Sequence, residues 1–292
     1  AFNWTYTLGT GLLDPWAVGA TALIPAAGTP ATTLPDLLRE HHATVFAAAP
    51  GVYRQMLRAD IPPMPALRHG LSAGEKLPDA TRARWQDATD TEIHEAFGMS
   101  ECSTFISGCP TRPAPPGTLG YPQSGRRIAI LSDGAPAPPD TPGTIAIHRH
   151  DPGLMLGYLG DDRLGGDWFT TGDIGSMDAI GAVTYLGRAD DMLNAGGFRV
   201  SPLEVETALT AHPDISEAAA VEVRTAPDTT LIAAFYVSTS PLAEATLTAH
   251  VATRLANYKC PRIWVHADTL PRGANNKLLR RALRDKYEAE NG

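Results

Sequence analysis

The chain has 292 residues, 43% hydrophobic and 19% charged, with a formal net charge of −8. That is enough sequence for one large or two ordinary globular domains, and the acidic balance argues against a nucleic-acid or anionic-membrane surface. No apolar run reaches the ~20 residues a membrane helix needs, and the three cysteines, Cys102, Cys109 and Cys260, form no metal-ligand pair, which suits a reducing, cytoplasmic setting.

Residues 4–24 mix a helical apolar face with a strand-like run at Ala20–Ile24. Thr33–His42 is expected to be an amphipathic helix with Leu34, Leu37 and Leu38 on one face. Ala43–Ala49 reads as a strand, Pro50-Gly51 as a turn and Val52–Ala59 as a second helix. A strand at Leu67–Ala73 ends in Gly74-Glu75-Lys76-Leu77-Pro78. A helix at Asp79–Thr89 leads to a strand at Glu92–Ala96, which runs into Phe97-Gly98-Met99-Ser100-Glu101. Alternating helix and strand implies a sheet covered by helices, and strand–loop junctions are where such folds put ligands.

Pro110–Pro122 is proline-rich and irregular. Short strands at Arg127–Ser132, Gly143–His148 and Ala182–Leu186, with a solvated turn at Asp133–Pro142, imply a small β-rich subdomain. A domain boundary is placed at Asp190. Beyond it the pattern gives a helix at Pro202–Ala211, strands near Ala218–Val223 and Leu231–Val237, a helix near Ala243–Ala256, a strand at Arg262–His266 and a terminal helix at Lys277–Glu288. Leu247, Val251 and Leu255 put one apolar stripe on the second of those helices. The expected fold class is α/β plus α+β: residues 1–189 as part of a large α/β domain with its β-rich subdomain, and residues 190–292 as a small α+β domain.

The densest stretch is Trp168–Glu206. Asp173 falls in a Thr-Gly-Asp turn. Arg188, Asp190 and Asp191 follow Gly187 at a strand end. Gly196-Gly197 separates two β-type runs, Asp191–Ala195 and Phe198–Ser201, a hairpin signal. Ser201-Pro202-Leu203-Glu204 is a capping box with proline at the first helical position. Taken alone, each piece also fits the turn-rich surface of an ordinary α/β enzyme.

The order of the pieces narrows the choice. WFTTGD followed by GRADDMLNAGGFRVSPLEVE resembles the adenylate-forming superfamily of acyl-CoA synthetases, luciferase-type enzymes and peptide-synthetase adenylation domains. HEAFGMSE (His94 to Glu101) looks like that family's (Y/F)GMTE motif, and LPRGANNKLLRRAL (Leu270 to Leu283) resembles its LPRTxxGKxxRxxL motif. The hairpin segment is similar to that of CoA ligases for aryl or medium-sized acids. The family's phosphate loop, (S/T)SG(S/T)TGxPK, is not found in the 292 residues. The resemblance therefore implies the C-terminal portion of a longer enzyme, inactive by itself.

What the resemblance implies is an AMP-forming carboxylate–CoA ligase that uses ATP, Mg2+ and coenzyme A. An acid attacks the α-phosphorus of ATP, and the acyl group of the adenylate then passes to the thiol. Lys277 takes the position of the catalytic lysine, with Asn276 where the family commonly has glycine. Glu101, beside Ser100, takes that of the magnesium and phosphate contact. Phe97 would stack on adenine, with Gly74, Glu75 and Lys76 along it. Asp173 would bind the ribose hydroxyls, assisted by Arg188. Arg199 would stand near the ATP phosphates, Gly196 and Gly197 would admit the pantetheine arm, and Asp190 would be the hinge. Ala48–Gly51 and Cys102–Ser107, small and mostly uncharged, are expected to wall the acid pocket and favour an apolar or aromatic acid. The expected partners are that acid and either a second copy of the chain or a missing N-terminal segment, not nucleic acid or membrane. The alternative is a non-catalytic nucleotide-binding or assembly module.

Overall fold

A computed structural model of the chain describes residues 5–160, 165–195, 198–226, 229–273 and 278–291. Two compact units emerge: Ala1–Thr171 with Gly175–Tyr185, and Gly172–Ile174 with Leu186–Gly292. Among the described residues no helix is long and apolar enough to cross a membrane.

The first unit opens with two short helices, α1 (Thr5–Leu8) and α2 (Asp14–Ala17), flanking a π-helical turn at Gly9–Leu13. The strand expected at Ala20–Ile24 is not formed: these residues have no regular structure and pair with no described strand, and Leu23 and Ile24 are about half exposed. Helix α3 (Leu34–Glu40) precedes β1 (Val45–Ala48), α4 (Pro50–Met56), β2 (His69–Ser72), α5 (Asp79–Thr89) and β3 (Ile93–Met99). Pro50-Gly51 is therefore not a turn but the first turn of α4, where proline's missing N–H costs nothing. Asp90, left-handed at φ +54, ends α5. Strands β1, β2 and β3 are parallel. An unforeseen strand, β4 (Ser103–Ser107), turns back antiparallel on β3, and β5 (Tyr121–Pro122) extends the sheet.

The helices cover this sheet through an aromatic trio. Tyr53 sits edge-on to both Phe46 and Trp85, at 5.2 and 4.9 Å between ring centroids. Both Tyr53 and Trp85 are fully buried, and each polar tip is satisfied: the Tyr53 hydroxyl reaches the carbonyls of Phe46 and Leu71, and the Trp85 indole donates to Thr91. Buried aromatics of this kind dominate core energetics, with a further ~1 kcal/mol per well-placed ring pair.

The second sheet has the order β10–β9–β8–β6–β7, from β6 (Ile128–Ser132), β7 (Ala135–Pro136), β8 (Gly143–His148), β9 (Trp168–Met177) and β10 (Val183–Arg188). Ile130, Ile145, Ile147 and Val183 face its core together with Phe105 and Ile106 of β4. Strand β9 was not expected. Its Thr-Gly-Asp carries turn residues, yet Asp173 lies within the strand, not in a turn; only Gly172 takes the left-handed φ of +76.

In the second unit β11 (Leu193–Ala195) and β12 (Phe198–Val200) pair antiparallel, as the hairpin signal requires; Gly196 and Gly197 lie outside the described residues. Helix α6 (Pro202–Thr210) is capped by Ser201, whose hydroxyl accepts from the Glu204 N–H. The reciprocal half of the capping box is replaced: the Glu204 carboxylate accepts from Lys259 at 2.6 and 2.8 Å. Strands β13 (Glu217–Ala226) and β14 (Thr229–Val237) are antiparallel, and β15 (Ile263–His266) joins β14 in parallel. Strand alternation sorts the side chains. Ala220, Ile232, Ala234 and Tyr236 pack with α6 and α7 (Glu244–Ala252), while Ala219, Val221, Val223, Ala233 and Phe235 meet Leu283 of α8 (Arg280–Asn291).

Candidate active site

In the first unit two of the residues expected to meet a nucleotide, Gly74 and Ser100, line one cavity; Glu75, Lys76 and Phe97 are not among its lining residues. Gly74 follows β2 with φ +96, a conformation that favours glycine. The loop it opens is held by Glu95 of β3, whose Oε1 accepts the Leu77 N–H at 3.0 Å. Glu95 is buried, and burial pushes its carboxyl up to about 7 against the pull of the Leu77 N–H and of Arg82, whose Nη2 lies 3.4 Å from Oε2. The sequence drew attention to Gly74, Glu75 and Lys76 but not to Glu95, the group that fixes them.

A cavity of about 70 Å³ lies beside this loop, lined by Tyr6, Gly74, Gly98, Ser100, Ser103 and Thr104 among others. The strand pair β3–β4 has an irregular register at Phe97/Gly98, and a Cβ at Gly98 would overlap the Ser103 carbonyl and stand 2.7 Å from Thr104 Cα. Ser103 itself adopts φ +57, the kind of backbone strain that clusters at working sites. Phe97 is half-buried against Phe105 and Tyr185, both at 5.3 Å between centroids. Ser100 is exposed, and its hydroxyl is 3.0 Å from that of Thr5.

Of the expected acid-pocket walls, Ser103 and Thr104 line this cavity. Cys102, Phe105 and Ile106 do not; they are buried core residues packed in one cluster with Ile130, Ile145 and Ile147 of β6 and β8. Ala48–Gly51 are not among its lining residues either.

Glu101 follows in the turn between β3 and β4. Its Oε1 accepts from the Tyr158 hydroxyl at 2.8 Å, and its backbone carbonyl accepts from the Met155 N–H at 2.8 Å. Among the described residues no group of three or more His, Cys, Asp or Glu side chains is placed to hold a metal ion. A single half-buried carboxylate fits Mg2+, which keeps several waters and takes one or two protein carboxylates plus phosphate oxygens.

In the second unit a charged cluster gathers around Arg188. Its Nη1 lies 3.5 Å from Asp173 Oδ2, and its Nε donates to Asp190 Oδ1 at 3.3 Å. Asp173 is buried, whereas Asp190 is exposed. A Cβ at Gly172 would press on this guanidinium at 2.9 Å. Arg199 donates through Nη2 to the Ala189 carbonyl at 2.7 Å, bracing the residue before Asp190. Lys277 lies outside the described residues. Its flanks are anchored: Leu278 bridges to Arg272, Arg272 pairs with Glu217 at 2.7 Å, and Arg280 opens α8.

Two family profiles match the chain: AMP-binding enzyme over residues 1–159, and AMP-binding enzyme C-terminal domain over residues 204–277. The chain belongs to the AMP-binding enzyme family. It is 33% identical to the 3-hydroxybenzoate–CoA/4-hydroxybenzoate–CoA ligase of Thauera aromatica, over 99% of this chain and 57% of that protein. Among solved structures it superposes on an anthranilate CoA ligase in complex with anthranoyl-AMP, with TM-score 0.88 and 30% identity over 99% of this chain and 58% of that one. A benzoate CoA ligase from Burkholderia xenovorans LB400 gives TM-score 0.85 and 33% identity over 97% and 59%. The chain thus spans a little over half the length of these relatives.

Proposed function

We propose that the chain carries the nucleotide-handling and transfer elements of an AMP-forming aryl-acid–CoA ligase. The observation that carries this reading is the buried Asp173 carboxylate paired with the partly exposed Arg188, in a chain whose hydroxybenzoate- and anthranilate-ligase relatives match it along nearly its whole length. A fixed carboxylate accepts both vicinal hydroxyls of a ribose, and its charge makes those bonds about twice as strong as neutral ones. Arg188 orients the carboxylate.

Glu101, with Ser100 beside it, would hold Mg2+, which supplies neutralisation of phosphate charge when bound. Gly74, Glu75 and Lys76 lie along the adenine, and Phe97 offers it an aromatic face. Lys277 bridges the attacking carboxylate oxygen and the α-phosphate, where charge concentrates in the transition state. Gly196 and Gly197 let the backbone approach the pantetheine arm, Arg199 contributes positive charge near the phosphates, and Asp190 is the point about which residues 190–292 turn between half-reactions. The favoured acid is a benzoate bearing a hydroxyl or amino group. The place of action is the cytoplasm.

The test is calorimetric titration of the chain with AMP, beside ATP–pyrophosphate exchange with benzoate, hydroxybenzoates and anthranilate. AMP binding that disappears in Asp173→Ala supports the reading. Unchanged binding in that variant overturns it. AMP binding by a polypeptide that carries this sequence and the phosphate loop, without exchange for any acid, would favour a nucleotide-binding module instead.

A further inference from the structure

The turn that carries Glu101 is held by a buried ion pair. Asp151 is fully buried and Arg126 nearly so, with Nη1 and Oδ1 2.8 Å apart. Asp151 Oδ1 also accepts the Gly153 N–H at 2.9 Å, and Oδ2 accepts the Arg127 N–H at 2.6 Å. Arg126 Nη2 donates to the carbonyl of Cys102 and, at 3.0 Å, to that of Thr104. A Cβ at Gly153 would overlap Arg126 Nη1 and displace the guanidinium. A few residues further on, the same segment makes the Met155 and Tyr158 contacts to Glu101. So the Asp151–Tyr158 strap and the Glu101–Thr104 turn are pinned together from both sides, and the guanidinium is the pin.

We propose that Arg126 and Asp151 are positioning residues for Glu101, fixing its carboxylate for the metal–phosphate contact; this rests on the role given to Glu101 above. A buried pair of this kind is poor evidence for stability, since desolvation cancels much of its attraction, but losing one partner is costly. Its value is geometric: Arg's planar fork reaches the carboxylate through Nη1 and two carbonyls through Nη2, a spread over two fixed nitrogens that the single nitrogen of Lys does not reproduce.

The variants are Arg126→Lys, chosen to keep the charge and the fold, and Asp151→Asn. Two readouts are taken on the full chain. The first is hydrogen exchange at the Met155 amide, compared with amides of β8 and α5. The second is binding of Mn2+ together with ATP, followed by paramagnetic resonance. The expected result is Met155 exchange about tenfold faster with β8 and α5 unchanged, and affinity for Mn2+ with ATP reduced about 10- to 100-fold, as outer-shell substitutions typically do. A purely structural pair would speed exchange everywhere and leave the affinity of the folded fraction intact, which overturns the proposal. Unchanged Met155 protection in a folded Arg126→Lys overturns it as well. If the unsubstituted chain, or Glu101→Gln alone, shows that Glu101 holds no metal, the reading of Glu101 falls and this proposal with it. The exchange data then report separately whether the pin holds the turn.

Discussion

Arg280 grips Glu206 as a fork, Nε to Oε1 at 3.0 Å and Nη2 to Oε2 at 2.8 Å, and so ties the first turn of α8 to α6. Its Nη1 also reaches Asp191 Oδ2 at 3.4 Å, next to the proposed hinge. Glu206 is buried, and burial pushes its carboxyl upward while Arg280 and the Ala220 N–H pull it down. Arg280→Met would leave that carboxylate without its cation. The expected loss in urea unfolding is about 3–5 kcal/mol. Arg280→Met combined with Glu206→Leu should recover most of it, since an apolar pair of similar volume avoids the desolvation cost.

Glu95 makes stability depend on pH. Its folded carboxyl is raised to about 7 from an ordinary 4.5, so between those values the folded chain binds more protons than the unfolded one. Stability contributed by this group therefore falls as pH rises through that window, by roughly 3 kcal/mol in all. Glu95→Gln keeps an acceptor for the Leu77 N–H but cannot ionise. Relative to the variant, the parent chain should gain stability between pH 7.5 and 4.5, measured by denaturant midpoints across the range. Parallel pH profiles would show that Glu95 does not titrate there.

Asp173→Asn preserves shape but weakens two charge-assisted bonds. AMP affinity should drop about tenfold or more, with each lost bond to a charged group worth ~1.5–3 kcal/mol. Calorimetry with AMP, and with adenine as a ribose-free control, checks this; adenine affinity should not change.

In an active enzyme carrying this sequence, Lys277→Ala should cost adenylation about a hundred- to a thousandfold. Thioester formation from supplied acyl-adenylate should change little. Equal losses in both half-reactions would point to a folding defect or another role.

Asp190→Pro in the same enzyme should trap one domain orientation. A hinge absorbs its rotation at a few residues, and proline fixes its own φ and restricts the residue before it. Pyrophosphate release and thioester yield, measured separately, should dissociate from each other. Parental rates in both would move the pivot away from Asp190.

Much of this was legible in the sequence because it is local. Helix α5 starts and stops where the Asp79–Thr89 pattern says, β8 matches Gly143–His148, and the Ser201 cap forms. The errors came from residues whose local preference is overridden by distant partners. Thr171-Gly172-Asp173 has turn chemistry, yet neighbouring strands draw it into β9, where the Thr171 hydroxyl donates to Ile145. Ala20–Ile24 has the apolar content of a strand, but no described strand lies beside it to pair. Motif order pointed to Glu101, Asp173 and Arg188. Glu95, Arg126, Asp151 and Tyr158 carried no motif, because each acts through a contact far away in the sequence.

Cys102 sits against the pin, its Sγ 3.1 Å from Arg126 Nη2. Burial pushes its thiol up to about 11 despite the adjacent guanidinium, so at neutral pH it stays protonated as well as covered. Cys260 is buried too, whereas Cys109 is exposed, with a thiol lowered by the Thr111 hydroxyl 3.3 Å away. Alkylating reagents act on exposed thiolate. A maleimide dye added to the native chain will therefore mark one position, Cys109, and leave the other two sulfurs untouched until the fold opens, giving a chemically addressable handle on the first unit without any engineered cysteine.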